Sequence, residues 1–294
     1  MKKLFCIPGA GASAVMFLPW MKELNGSEDF KLCLLEIPGR GMRKKDAPVK
    51  TMEELVDVLI QKMDIQLKPD ESYVIYGYCF GAIIGYELCR KLRMLGKKEP
   101  EHFFCSSIGS PGNRKIAEPV FANRSFRGEI RQMFVRYFPE QLFTHTESLG
   151  QITELYTQHA FDKFDETQCI QPVSLDELMQ DCGELAGKEE NLARIVDFAN
   201  DALDIFQYDQ QMLLDYSHSE HEPFLLECPL TVMRGEQDTL TGEADLMEWK
   251  DYCDGGLALK TVCGNHFTFE ESRDEIMGII QQESGGDSMM ILDI

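Results

Sequence analysis

Apolar residues follow two rhythms along this chain. Short unbroken runs alternate with longer stretches in which apolar residues recur every third or fourth position. Leu4-Phe5-Cys6-Ile7 is the first run, cut off by Pro8-Gly9-Ala10-Gly11-Ala12-Ser13. Lys31 to Ile37 is the second, ended by Pro38-Gly39-Arg40-Gly41. Met52 to Leu67 then carries Leu55, Val58, Leu59 and Met63 at helical spacing. Tyr73 to Tyr76 reads as a buried strand, Phe80 to Leu95 as a helix ended by Gly96, and His102 to Ile108 as a strand closed by Ser110-Pro111-Gly112. Continuous apolar strands separated by helices predict an α/β fold, a parallel sheet with helices on both faces.

The rhythm changes at about Arg114. From there to about Glu222 the pattern is helical, with almost no strand signal. Ile130, Met133, Phe134, Tyr137 and Phe138 form one stripe. Ser174 and Glu177 make a capping-box start, and Leu192 to Tyr216 is one long helix. Strands resume at Leu230–Met233 and Leu257–Val262, and a last helix covers about Glu271 to Gln282 before a frayed tail after Gly285. The expected division is an α/β core of residues 1–113 and 223–294 interrupted by a helical insertion, 114–222. There are no internal repeats.

Composition narrows the class. A hydrophobic content of 44% permits a real core. No apolar run reaches the roughly 18 residues of a membrane span, and Pro8-Gly9 cuts the N-terminal run too short for a signal peptide. Ten scattered cysteines without a Cys-x-x-Cys pair fit a reducing, cytoplasmic setting, most of them as buried small hydrophobes. The net charge of −21 argues against nucleic acid. It is uneven: Lys and Arg number 18 against 14 Asp and Glu in residues 1–115, 7 against 21 in 116–222, and 4 against 15 in 223–294. His218-x-x-His221 lacks a third ligand at fixed spacing, so no metal and no bound cofactor is expected.

Between the third strand and the helix after it stands Gly77-Tyr78-Cys79-Phe80-Gly81. This is the context of a nucleophile elbow. The central residue occupies a tight, strained strand-to-helix turn, and side chains two positions either side of it would collide with their surroundings, so both are glycine. The helix N-terminus beneath favours negative charge on the reactive atom. Cys79 is therefore the candidate nucleophile. Gly85 suits close packing of the helix on the sheet.

A nucleophile needs a base, and the base an orienting group. His266 follows the strand ending Thr261-Val262-Cys263, at the sheet edge where α/β sites lie. His145, His159, His218 and His221 fall in or at the end of the helical insertion, and His102 lies at the wrong edge of the sheet. The orienter expected is Asp238, after strand and glycine turn in Val232-Met233-Arg234-Gly235-Glu236-Gln237-Asp238, with Asp245 and Glu236 as weaker candidates. Two backbone N–H groups should form an oxyanion hole. One is that of Phe80. The other is that of Ala10, with Gly11 as the alternative.

Together, Ile7-Pro8-Gly9-Ala10-Gly11-Ala12-Ser13 with Phe17, the loop Pro38-Gly39-Arg40-Gly41, the elbow, Gly235-x-x-Asp238 with Trp249, and Gly264-x-His266-Phe267 resemble the type II thioesterases of polyketide and nonribosomal peptide synthesis. The resemblance covers residues 1–112 and roughly 200–283. It implies an α/β-hydrolase fold, a triad in the order Cys79, Asp238, His266, and an acyl or peptidyl substrate held as a thioester on the phosphopantetheine arm of a carrier protein. It makes the helical insertion a lid over the acyl pocket. The initial Met suggests a free-standing protein, and a monomer is expected. Basic residues at Arg40, Arg43, Lys44 and Lys45, and at Arg90, Lys91, Arg93, Lys97 and Lys98, are candidate docking points for an acidic carrier.

Two features depart from that family, a longer insertion and Tyr78-Cys79 where it usually has His-Ser. Cysteine exchanges one thioester for another at nearly equal free energy, so its acyl-enzyme stays activated. Three readings follow: a thioester hydrolase; an acyltransferase or cyclase releasing an amide or lactone; and a carrier-binding module, or a Ser→Cys variant that traps acyl groups without turnover.

Overall fold

The computed structural model describes residues 1–24, 29–68, 70–117, 143–167, 171–219, 223–267, 269 and 271–285. The apolar stripe from Ile130 to Phe138, His221, Cys169 and the tail beyond Gly285 lie outside the described residues. Among the described residues the α-helices are, in chain order, α1 (Leu18–Glu23), α2 (Met52–Gln66), α3 (Phe80–Met94), α4 (Thr146–Thr167), α5 (Leu175–Cys182), α6 (Leu192–His218), α7 (Glu243–Met247) and α8 (Arg273–Glu283). None is long and apolar enough to cross a membrane.

The chain divides into two compact units, Met1–Ile116 with Met212–Ile294, and Ala117–Gln211. The first contains a six-stranded sheet of β1 (Lys2–Ile7), β2 (Phe30–Leu34), β3 (Tyr73–Tyr78), β4 (Phe103–Ser106), β5 (Leu230–Gly235) and β6 (Leu257–Val262). Its order is β2-β1-β3-β4-β5-β6, and every pairing is parallel. Parallel neighbours need crossover connections, which is why apolar strands and helices alternate in the sequence. All six C-terminal ends therefore lie along one edge of the sheet.

Two strands are shorter than the sequence predicts. β2 stops at Leu34, although Leu35 N still donates to Cys6 O at 3.0 Å. Beyond it the chain turns out of the sheet and the Glu36 carboxylate takes up hydrogen bonds from loop backbone instead. β4 stops at Ser106 because Ser107 adopts a φ of +60°. In α2, Thr51 caps the start, accepting from Glu54 N at 3.2 Å. The buried face is Leu55, Val56, Leu59, Ile60 and Met63, with Val58 only half-buried.

One layer of the core is aromatic. Phe17 stacks on Trp20 at 5.5 Å between ring centroids, and both meet Tyr76 of β3 and Phe269. Trp20 is fully buried, and its indole N–H donates to Arg273 O at 3.1 Å, giving the ring its polar partner.

The second unit is helical. Ser174 and Glu177 form the capping box at the start of α5. Asn200 ties α4 to the chain before α5: its Oδ1 accepts from Tyr156 Oη at 2.7 Å and from Val173 N at 3.0 Å, and its Nδ2 donates to Val173 O at 2.9 Å. Ile152, Tyr156, Leu178, Ile195 and Leu203 are buried here.

Candidate active site

The centre of the site is the turn between β3 and α3. Cys79 caps α3 with φ +50° and ψ −118°, a region that L residues rarely adopt. Glycine is required on both sides, for different reasons. A Cβ on Gly77 would lie 2.4 Å from Gly81 O and 2.6 Å from Ala82 Cα. A Cβ on Gly81 would lie 2.3 Å from Ile7 O, so the second glycine answers mainly to the end of β1. A Cβ on Gly85 would meet the Phe103 ring at 2.7 Å, the close helix–sheet approach expected there. The turn is held by Cys79 N donating to Ser106 O at 2.8 Å and Ala82 N donating to Cys79 O at 2.8 Å.

His266 and Asp238 lie at the same sheet edge, after β6 and β5. His266 Nδ1 is 3.0 Å from Asp238 Oδ2, and both side chains are buried. The other carboxylate oxygen, Oδ1, accepts from Leu240 N at 2.8 Å and Thr241 N at 2.9 Å. Burial pushes the Asp238 carboxyl up. The charge and hydrogen bond of His266 and these two N–H donors outweigh it and hold the group below the ordinary carboxylate range. For His266 burial acts downward, but the Asp238 charge and hydrogen bond, then the hydrogen bond and charge of Cys79, push it up to about 10.

The rejected candidates have other tasks. Asp245 accepts from Asn113 Nδ2 at 2.9 Å, Lys115 Nζ at 3.1 Å and Gly242 N at 2.8 Å, fixing the start of α7. Glu236 is exposed. His102 stacks on Phe104 and meets Thr231 Oγ1 at 2.8 Å, and His159 pairs with Asp181 in the second unit.

Ala10 follows β1, and Phe80 opens α3. Neither N–H donates to a protein acceptor among the described residues, and the first N–H groups of a helix lack internal partners in any case. Gly11 has φ +73°, so the chain turns sharply just beyond Ala10. Among the described residues no group of three or more His, Cys, Asp or Glu is placed to hold a metal ion.

Three residues of this region escape a reading of the sequence. Glu36, buried, accepts from Ser13 Oγ at 2.5 Å, Ala14 N at 3.0 Å and Met42 N at 3.3 Å. Arg40 is also buried and donates to Ala12 O at 3.3 Å. The loop Pro38–Gly41 therefore braces the loop that carries Ala10, and Arg40 is no part of an exposed basic patch. Tyr78, buried, donates to His266 O at 2.8 Å. The only sequence signal for the first two is the Pro-Gly-Arg-Gly motif itself.

A family model described as the thioesterase domain matches residues 2–283. The gramicidin S biosynthesis protein GrsT of Aneurinibacillus migulanus is 22% identical over 275 residues, covering 94% of this chain and 86% of that protein. Among solved structures, RedJ, a thioesterase from the prodiginine biosynthetic pathway in Streptomyces coelicolor, aligns with TM-score 0.66 at 21% identity, covering 96% of this chain and 85% of that one. BorB, the type II thioesterase of the borrelidin biosynthetic cluster, aligns with TM-score 0.62 at 20% identity, covering 96% and 91%. These structural likenesses give the fold, a mostly parallel sheet flanked by helices of the α/β-hydrolase kind.

Proposed function

We propose, from the premise that this chain belongs to the thioesterase domain family, that it hydrolyses acyl or peptidyl thioesters held on the phosphopantetheine arm of a carrier protein, through an acyl-enzyme on Cys79. The observation that carries this reading is a buried His266 held by Asp238 at 3.0 Å and influenced by Cys79, which stands in a strained turn beside two N–H groups that have no protein acceptor among the described residues. The relatives named for gramicidin S, prodiginine and borrelidin biosynthesis support the carrier-bound substrate class.

The chemistry follows from the parts. The Cys79 sulfur attacks the thioester carbonyl, and the oxyanion that forms is met by the N–H groups of Ala10 and Phe80. The carbon–sulfur bond to the carrier arm breaks, and His266, made an imidazolium by the proton it took from the Cys79 thiol, gives that proton to the leaving thiolate. Water then attacks the new thioester, losing a proton to His266. Cys79 leaves as thiolate and the acid is released. Asp238 holds the ring by Nδ1 throughout and stabilises its charge.

A second reading rests on the cysteine. Its acyl-enzyme retains thioester activation, so an amine or alcohol in place of water gives an amide or lactone by the same steps. Intact-protein mass spectrometry with a panel of acyl N-acetylcysteamine thioesters tests both. Acylation at Cys79 followed by free acid is expected, and Cys79→Ala abolishes it. Undiminished turnover in that variant sinks both readings, while acylation that never turns over leaves only a trapping module.

The carrier docks, in this reading, beside the loop 40–45. Lys44 and Lys45 are exposed there. Arg43 of the same loop pairs with Asp46 at 2.6 Å, and in the other basic group Lys91 pairs with Asp57 at 3.0 Å, Lys97 with Asp64 at 2.6 Å, and Arg93 with Glu99.

A further inference from the structure

We infer that Tyr78 is a positioning residue that holds the base loop and the oxyanion loop in register with the nucleophile, an inference that rests on the Cys79–His266 reading above. Tyr78 ends β3 and immediately precedes Cys79, so its backbone is fixed by the sheet. Its side chain is buried and reaches two segments that the sequence keeps far apart. The phenol donates to the main-chain carbonyl of His266 at 2.8 Å, across 188 residues of chain. The ring lies against Gly9, where an added Cβ would sit 3.0 Å from Cδ1 and 3.2 Å from Cε1. The same Cβ would sit 3.4 Å from Cys79 Cβ. Phe269 closes the far side, with centroids 6.0 Å apart.

His266 is thereby pinned twice. Asp238 fixes the ring through Nδ1, and Tyr78 fixes the backbone from which the ring hangs. Asp238 alone leaves the ring free to pivot about that hydrogen bond. The contact with Gly9 makes the same residue a gauge for the loop that presents Ala10. A smaller ring in this place would leave a gap at Gly9, and one without a donor would lose the hydrogen bond to the carbonyl of His266.

Tyr78→Phe removes one oxygen and keeps the ring. It is expected to lower kcat on the order of 10- to 100-fold, the scale on which small misplacements act. KM should stay within about twofold of its starting value, because substrate contacts are untouched. The alkaline limb of the pH–rate profile should also fall, since a ring that drifts from Asp238 and Cys79 loses the interactions that keep it protonated. A loss of packing alone would lower thermal stability without moving that limb. Gly9→Ala attacks the same contact from the other side and should also lower kcat, which decides the matter if Tyr78→Phe fails to fold. Wild-type kcat and an unmoved alkaline limb in either folded variant overturn the inference. Cys79→Ala separates the two levels: an active Cys79→Ala enzyme sinks the reading on which this rests, whereas an inactive one beside an unimpaired Tyr78→Phe sinks the role of Tyr78 alone.

Discussion

The carboxylate of Glu36 accepts a hydrogen bond from the Ser13 hydroxyl at 2.5 Å, and through it the loop after β2 holds the loop after β1. Two further N–H donors, from Ala14 and Met42, converge on the same group. Glu36→Ala leaves the buried Ala14 N–H without its acceptor, while Ser13 and the exposed Met42 turn to water, and should cost about 1–3 kcal/mol of stability. It should lower kcat as well, because the loop it steadies carries Ala10. Urea unfolding and steady-state kinetics on one preparation check both effects. A stable variant with wild-type kcat shows that the brace is dispensable.

Protonation of His266 gives a pH dependence with a definite sign. Its pKa in the fold is about 10, above its ordinary value near 6.5. Its contribution to stability is therefore complete below about pH 6.5 and is lost as pH rises through about 10. Asp238 acts oppositely: its carboxyl is held low, so its contribution is present above the ordinary carboxylate range and vanishes as pH falls through its folded pKa. The stability difference between wild type and His266→Gln should shrink steadily between pH 7 and 11. A constant difference contradicts the assignment.

Asp238→Asn should reduce kcat on the order of 10²- to 10⁴-fold, because an amide cannot stabilise an imidazolium and favours the wrong tautomer. The alkaline limb should move down towards the ordinary histidine range. Stopped-assay pH profiles of the two proteins make the comparison. An unchanged limb would mean that Asp238 does not set the His266 charge.

Cys79 has a positive φ, and so an unusual order of stabilities is expected there. Cys79→Gly should be more stable than Cys79→Ala by about 1 kcal/mol, since glycine accepts this backbone without strain. Both variants are expected to be inactive. Thermal unfolding of the pair decides it. In a relaxed helix the order would be reversed.

Charge reversal at Lys44 and Lys45 tests the docking face. KM for a carrier-bound substrate should rise about tenfold at low salt and by less at high salt. Kinetics on a small N-acetylcysteamine thioester should not change. Equal effects on both substrates would place the lysines in the chemistry and not in docking.

The fold class was legible because the strands are short, largely apolar runs with glycine or proline close behind most of them. The triad candidates were legible for the same reason: Cys79, Asp238 and His266 each sit just past the end of such a run. Pattern failed where elements are short or contacts long. Leu18–Glu23 and Glu243–Met247 are too brief to display a helical period. Lys31 to Ile37 looks like one strand, and only the hydrogen bonds of Glu36 explain why β2 ends at Leu34. Arg40 looks like a surface charge until its guanidinium is seen against Ala12 O. Tyr78 has no signal at all, because its partner is a main-chain carbonyl far along the chain.

The parallel sheet draws this site from both ends of the chain. Ala10 follows the first strand, Cys79 the third, and His266 the last, and the Trp20 indole reaches Arg273 across 253 residues. During synthesis the thiol of Cys79 emerges from the ribosome long before its base. A nascent or truncated product that ends short of residue 266 carries the elbow but no proton acceptor. In this reading the site is complete only once β5 and β6 have joined the sheet beside β4 and the loop carrying His266 has followed them.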